Sequence, residues 1–485
     1  MEKTNNKLQR SFYKWHRILG LIALVPIMGW TLSGLSHPFM SNWFRPFIPQ
    51  ESYTLPTIAE MKPALSLTQV LDQNHINELR NFGLVRFKGQ TYYQILQKDS
   101  VCNYYSATDG KLLPGADKSY AVYLARYFTQ DSVSKIRSIS LQTKFDAQYQ
   151  PINRLLPVWK VSLDRPDGMD IYIETSQSRM GTFNNNTRKV MLGVFEQMHT
   201  WDFMADWFGD SFRLIFLNCV VGILFLSLIS GVVIYGFFWK RFKEIAQKRK
   251  AKGTDYRRIT HRYHRQLGLI MSFIMLLFFS SALFHLLVKL HNIQPAHTEY
   301  EQLINRSELK SDNLHLPIAD TLATKQALVK MYDEDVYYQV TDYKKNIHYY
   351  STVDGAESPY GDINFAEYLA YFYRHKPGDR EEKINMKAEP VRQFTNEYGF
   401  INKRLPVVKV SYPGNDNWYV ETSTGKLATH VAGIDRAEGL SFIFLHKFFW
   451  MTWAGKDIRD VVSILCALSI LIVALLGFAA FIKTK

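Results

Sequence analysis

The chain has 485 residues, 47% of them hydrophobic, with a mean hydropathy of -0.16. At about 150 residues per domain this is too long for one compact domain, and any membrane segments must be diluted by large polar regions. The formal net charge of +14 would suit nucleic acid or anionic lipid, but its positive residues crowd one connector, which reads as a topology signal and excludes nucleic acid. Three cysteines, two of them inside apolar runs, exclude a disulfide framework and a Cys-based metal site.

Four apolar runs, at about 18–37, 214–239, 267–290 and 461–482, are each long enough to cross a hydrocarbon core of about 30 Å as a helix. The first is longer than a signal-peptide core and no small-x-small site follows it, so it reads as a retained anchor. Between the second and third runs stand Lys240, Arg241, Lys243, Lys248, Arg249, Lys250, Lys252, Arg257, Arg258, Arg262 and Arg265, against only Glu244 and Asp255. The excess of Lys and Arg places this connector, and both termini, in the cytoplasm. The expected segments are a cytoplasmic N-terminus with a first membrane helix (1–41), a first outer domain (42–211) and a second helix (212–240). The basic connector (241–265), a third helix (266–290), a second outer domain (291–458), and a fourth helix with the C-terminus (459–485) follow.

The chain repeats itself. Trp15-His16-Arg17-Ile18-Leu19-Gly20 recurs as Tyr263-His264-Arg265-Gln266-Leu267-Gly268, and His37 maps to His285 at the same offset. In the outer segments Tyr104-Tyr105-Ser106 followed by Asp109-Gly110 returns as Tyr349-Tyr350-Ser351 followed by Asp354-Gly355, and Asn153 to Val158 returns around Asn402 to Val407. His199 corresponds to His446, Arg213 to Arg459 and Cys219 to Cys466. Two modules that each leave the cytoplasm and return have the same orientation, related by an axis along the membrane normal.

Each outer domain reads as α+β. Helical stretches are expected at 65–79 and 320–331, and strands at 84–87, 92–96 and 102–106, and again at 336–340 and 347–351. Second helices at 120–128 and 365–373 lead into strands near 160–162, 170–174, 409–411 and 418–421, with the Asp-Gly pairs as turns. Neither copy holds a Ser/His/Asp set, a Gly-rich phosphate loop or a CxxC.

Of the fourteen histidines, six match across the repeat: His16 with His264, His37 with His285, and His199 with His446. Their surroundings have drifted, Trp30 to Phe278 and Ser36 to Phe284, while the imidazoles stayed. Ionisable groups in membrane helices are costly and mark function. Paired imidazoles without carboxylates or thiolates suit haem iron better than zinc. Small residues at Gly29, Ser33, Gly34, Gly222, Gly231, Ser280, Ser281, Ala282, Ala474 and Gly477 permit a flat macrocycle, or equally close helix packing. His16 and His37 are separated by roughly 31 Å of helix, so one site is expected near each membrane face. Arg17, Arg265, Arg213 and Arg459 are placed to meet propionates, the first two also serving as topology signals. The outer site could pair His37 with His285, His199 with His446, or one from each, and two outer haems are compatible with four imidazoles.

The sequence resembles the PepSY-associated transmembrane family, whose better understood members are ferrisiderophore reductases of the bacterial inner membrane. The resemblance rests on Trp15-His16-Arg17-x-x-Gly20 and its copy at Tyr263, on Leu445-His446 and Met198-His199, and on the Tyr-Tyr-Ser-x-x-Asp-Gly elements. It implies four transmembrane helices in two parallel repeats, each with a large periplasmic PepSY-like domain. It also implies haem b, one or two copies, held by the membrane histidines. Electrons would come from a cytoplasmic donor supplied from elsewhere, since no flavin or nicotinamide motif is seen, and would go to ferric iron in a siderophore or other chelate. Besides that chelate and the electron donor, the partner implied is membrane lipid. PepSY modules are also associated with peptidase inhibition, so a non-enzymatic module that binds a periplasmic peptidase or senses a ligand is the alternative.

Overall fold

The computed structural model describes residues 2–98, 102–249, 256–291, 294–318, 322–331, 335–376, 385–399 and 402–482. Lys250, Lys252 and Asp255 of the basic connector, and Asp320, Ile401, Lys483 and Lys485, lie outside the described residues. The chain forms two compact units, one of Met1–Arg45, Thr187–Ile293 and Ile434–Lys485, the other of Pro46–Asn186 and Gln294–Gly433.

In the first unit the apolar runs form the helices Glu2–Pro38, Asp210–Phe237, Tyr256–Leu290 and Lys456–Ile482. The described residues hold four helices long and apolar enough to cross a membrane, and this is a membrane protein. The first helix packs on the second and fourth, and so does the third. Ala23, Val221, Leu224, Met271, Met275, Phe279, Ile470 and Val473 fill the space between them. Outward-facing Val25, Ile270 and Phe273 are well exposed, an apolar surface suited to lipid rather than water. The second and fourth helices each start after a glycine, Gly209 (φ 87°) and Gly455 (φ 83°), in backbone a side chain rarely tolerates. Residues 187–211 and 434–458, read from the sequence as outer-domain ends, pack with the membrane helices instead. They hold the helices Asn186–Phe195, Asp202–Phe208 and Gly433–Ser441.

The second unit has two halves of like order. In the first, β1 (Glu78–Leu79), β2 (Asn81–Phe87), β3 (Gln90–Leu96) and β4 (Cys102–Ser106) precede the helix Ala116–Thr129. Then come β5 (Ile136–Gln142), β6 (Val158–Leu163), β7 (Asp170–Glu174) and β8 (Arg179–Asn184). In the second, β9 (Ile304–Asn305), β10 (Ala323–Met331), β11 (Asp335–Asp342) and β12 (Ile347–Ser351) precede the helix Gly361–Arg374. β13 (Lys387–Val391), β14 (Val407–Tyr412), β15 (Asp416–Glu421) and β16 (Lys426–Val431) complete it. Each half has a three-stranded sheet, β2-β3-β4 or β10-β11-β12, and a four-stranded sheet, β5 to β8 or β13 to β16, all antiparallel. The helix Ala116–Thr129 buries Tyr120, Ala121, Leu124, Ala125 and Phe128 in one core with residues of both sheets of its half, and Phe365, Ala366, Leu369, Ala370 and Tyr373 do the same in the second half.

The stretch 320–331, expected as a helix, is instead the strand β10 over its described part. Ala, Lys, Gln, Leu and Met favour helices locally, but β10 pairs along its length with β11, and that pairing with its burial overrides the preference. The helix expected at 65–79 is confined to Leu67–Gln73, and Glu78–Leu79 pairs with Asn305 and Ile304 of the other half. The halves share a core that includes Phe82, Tyr93, Leu328 and Tyr338. They also share a buried charge cluster. Glu421 accepts from Arg404 at 2.6 Å and from Arg179 of the other half at 2.7 Å, and Arg179 also pairs with Glu174 at 2.9 Å.

Candidate functional site

The matched histidines all fall in the membrane unit. His16 of the first helix and His264 of the third lie with ring centres 6.3 Å apart and planes tilted by 40°. Each leans on the next helix in the same manner. His16 Nδ1 is 3.1 Å from Ser227 O and 3.0 Å from Ser230 Oγ, and His264 Nδ1 is 3.0 Å from Val473 O. Four residues beyond each carbonyl is a glycine, and a Cβ there would stand 3.0 Å (Gly231) or 2.8 Å (Gly477) from the histidine Cε1. A carbonyl only accepts, so Nδ1 carries the proton and Nε2 keeps its lone pair. Arg17 lies over the Phe481 ring at 4.9 Å and Arg265 over Phe242 at 3.9 Å.

Toward the other end, His37 is in the last turn of its helix and His285 lies near the end of Tyr256–Leu290. His199 and His446 sit in π-helical turns, Glu196–Thr200 and Phe442–His446. Such turns are rare and concentrate at functional sites. A left-handed residue follows each, Trp201 (φ 54°) and Phe448 (φ 51°). In the first half Phe195 packs against both His37 (5.7 Å) and His199 (4.6 Å), and in the second Phe442 packs against both His285 (5.0 Å) and His446 (5.1 Å). His446 lies within electrostatic reach of His199, Lys447, His285 and His37. Removal from water, reinforced by His199 and Lys447, holds the His446 imidazole down at about 3, and the same removal with Lys447 holds His199 at about 4. Both are neutral near pH 7, as a metal ligand must be.

The halves differ around these rings. Ser33 Oγ is 3.0 Å from His199 Nδ1, and Trp30 Nε1 donates to His199 O at 2.9 Å. In the second half Phe278 replaces the tryptophan and packs 5.0 Å from His446. There the buried Ser281 Oγ and His446 Nδ1 have no hydrogen-bond partner among the described residues. His285 Nδ1 is hydrogen-bonded to Glu438 Oε1, where the first half has Met191. The sequence reading of histidines without carboxylate company is therefore corrected at His285.

Arg213 is already engaged, bonding Asp210, Asp202 at 2.9 Å and Thr200 O at 2.8 Å. Phe449 and Lys456 stand where these aspartates do in the second half, and Arg459 lies over the Phe449 ring at 4.2 Å. Of the two, only Arg459 pairs with no carboxylate among the described residues. Sequence reasoning missed Glu438, Phe195, Phe442 and Ser230, and noted Gly231 and Gly477 only as small. For Phe195 with Phe442 and for Gly231 with Gly477, the common spacing from the matched histidines across the repeat was the signal available, whereas Glu438 and Ser230 correspond to Met191 and Leu476 in the other half and gave none. Among the described residues no three His, Cys, Asp or Glu side chains converge to hold a metal ion, and Cys102, Cys219 and Cys466 are free thiols.

No curated protein matches the chain. A family model described as PepSY-associated TM region matches residues 125–349, from within the helix Ala116–Thr129 through the second and third membrane helices to β12. The chain thus carries a PepSY-associated TM region, the family that its Trp-His-Arg and Tyr-Tyr-Ser elements resemble.

Proposed function

We propose that this protein is a haem-containing reductase of the bacterial inner membrane that passes electrons outward to ferric iron held in a periplasmic siderophore or other chelate. The observation that carries this reading is the closeness of His16 and His264. Two imidazoles on opposite sides of one metal, with metal–nitrogen bonds of about 2.0 Å, have ring centres roughly 6 Å apart, and these lie 6.3 Å apart. Their Nδ1 atoms are occupied by carbonyls, which fixes the tautomer that leaves Nε2 for a ligand bond. The neutral His199 and His446, grouped with His37 and His285, offer the same donor type at the other end. Zinc fits less well, since two imidazoles lack a third ligand.

Haem b, when bound, supplies one-electron chemistry that no side chain of this chain has. The residues' own part is to hold and tune it. His16 and His264 would serve one end, and His37, His199, His285 and His446 the other, with the axial pairing at that end open. Arg17, Arg265 and Arg459, each lying over an aromatic ring, would be cations available to propionates, whereas Arg213 is neutralised by its aspartates. The apolar packing of Leu224, Met271, Met275 and Phe279 between the ends keeps water and ions from following. The orientation in this reading follows the basic connector: termini and connector in the cytoplasm, two parallel repeats, both PepSY-like domains in the periplasm. The electron donor is a separate component.

The full-length protein, purified in mild detergent from haem-replete cells, tests the reading by its absorption spectrum. A Soret band with a reduced α-band that is reoxidised by a ferric chelate is expected. A fully folded, colourless protein would overturn it and favour the peptidase-binding or sensing role.

A further inference from the structure

In the arrangement with one outer haem per half, the matched outer histidines, His37 with His199 and His285 with His446, would be expected to hold two chemically equal sites, and the contacts of His37 and His285 show where that equality ends. Both imidazoles lie at corresponding places on the first and third helices, and both pack against a phenylalanine that also touches the second histidine of its half. Only His285 has a carboxylate on its Nδ1, from Glu438. Glu438 belongs to the helix Gly433–Ser441, one turn before Phe442, and Met191 holds the same place before Phe195. The pair is partly buried, with side-chain exposures of 26% for His285 and 17% for Glu438. Lys289, one turn further along the helix of His285, is a cation within electrostatic reach of the carboxylate.

We infer that Glu438 is a positioning residue that makes the iron site served by His285 differ in potential from its counterpart in the first half, by holding the Nδ1 proton of His285 and strengthening Nε2 as a donor. The inference rests on the proposed haem function and specifies how that site is regulated. A carboxylate behind a ligating histidine fixes the ring and raises its basicity. A more basic ligand stabilises ferric over ferrous iron, so the site backed by Glu438 is the harder to reduce. Met191 offers no such support, and the first-half site is the easier to reduce. The difference gives the electron carriers an order that the histidines alone do not supply.

A redox titration of the haem absorbance in the purified full-length protein reads this directly. In Glu438→Gln, which keeps the volume and removes the charge, one component should move to higher potential by about tenfold in the ferric-to-ferrous ratio, or 59 mV for a one-electron couple. The other component and the haem content should stay as they are. Met191→Glu should lower the other component instead. If His285→Ala removes a spectral component while E438Q and M191E leave both midpoints in place, this inference fails and the proposed function stands. A haem spectrum indifferent to His285→Ala sinks the inference alone, and a folded protein that binds no haem sinks both.

Discussion

Gly231 lies beneath the imidazole of His16, so close that a Cβ would come within 3.0 Å of its Cε1. Helical glycine to alanine is ordinarily favourable by about 1 kcal/mol, so the sign of the effect identifies the contact. Gly231→Ala and Gly477→Ala should displace the rings, weaken the hydrogen bonds to Ser227 and Val473, and lower haem content without a matching gain in stability. Gly222→Ala, where the added carbon meets nothing within 4 Å, should be neutral or stabilising. Haem-to-protein ratio and thermal unfolding in detergent check all three.

Ser33 and Ser281 occupy corresponding places with unequal partners. Ser33→Ala removes a hydrogen bond to His199 and should cost about 1 kcal/mol. Ser281→Ala removes a buried hydroxyl without a partner among the described residues, and should leave thermal stability unchanged or slightly raised. Equal losses in the two variants would contradict this contrast.

The matched and unmatched histidines should separate in a haem assay. His16→Ala or His264→Ala should remove the haem at that end, because alanine replaces no axial bond, while His37→Ala or His285→Ala should perturb the other. His75→Ala and His315→Ala, both in the second unit, should change nothing in the spectrum. Wild-type spectra from the matched variants would end the ligand assignment.

Glu421 is 1% exposed and carries Arg179 and Arg404 on its two oxygens. Burial alone would raise its carboxyl, but the two guanidinium groups outweigh it and hold the group well below the usual carboxylate range. A folded-state value below the unfolded one contributes stability that is present above about pH 4.3 and is lost as pH falls from there. Glu421→Gln should therefore destabilise the second unit by roughly 3–5 kcal/mol at pH 7. It should also flatten the acid dependence of the unfolding midpoint, measured between pH 7 and pH 3.

What could be read from residues alone was what the surrounding solvent dictates. Long apolar runs and the drift around His16, His37 and their partners needed no knowledge of packing, and the turn at Asp109-Gly110 marks itself chemically. What could not be read depends on distant neighbours. β10 has helix-forming residues and becomes a strand through its pairing with β11. β5 and β13 escaped notice because their patterns are weak and largely exposed, and β13 even holds Pro390, which a sheet edge tolerates. β1 exists only because β9 of the other half pairs with it. Glu438 stands 153 residues from His285, without a counterpart in the first half to draw attention to it.

His16 and His264 come from opposite halves of the chain, yet their rings stand 6.3 Å apart. Neither half supplies both imidazoles. A gene shortened to one half would encode a polypeptide with one arm of a clasp, and a lesion in either copy would disable the pair. In the proposed function, doubling offers no redundancy: the second copy is no spare, and selection would have to guard both histidines as strictly as if each occurred once.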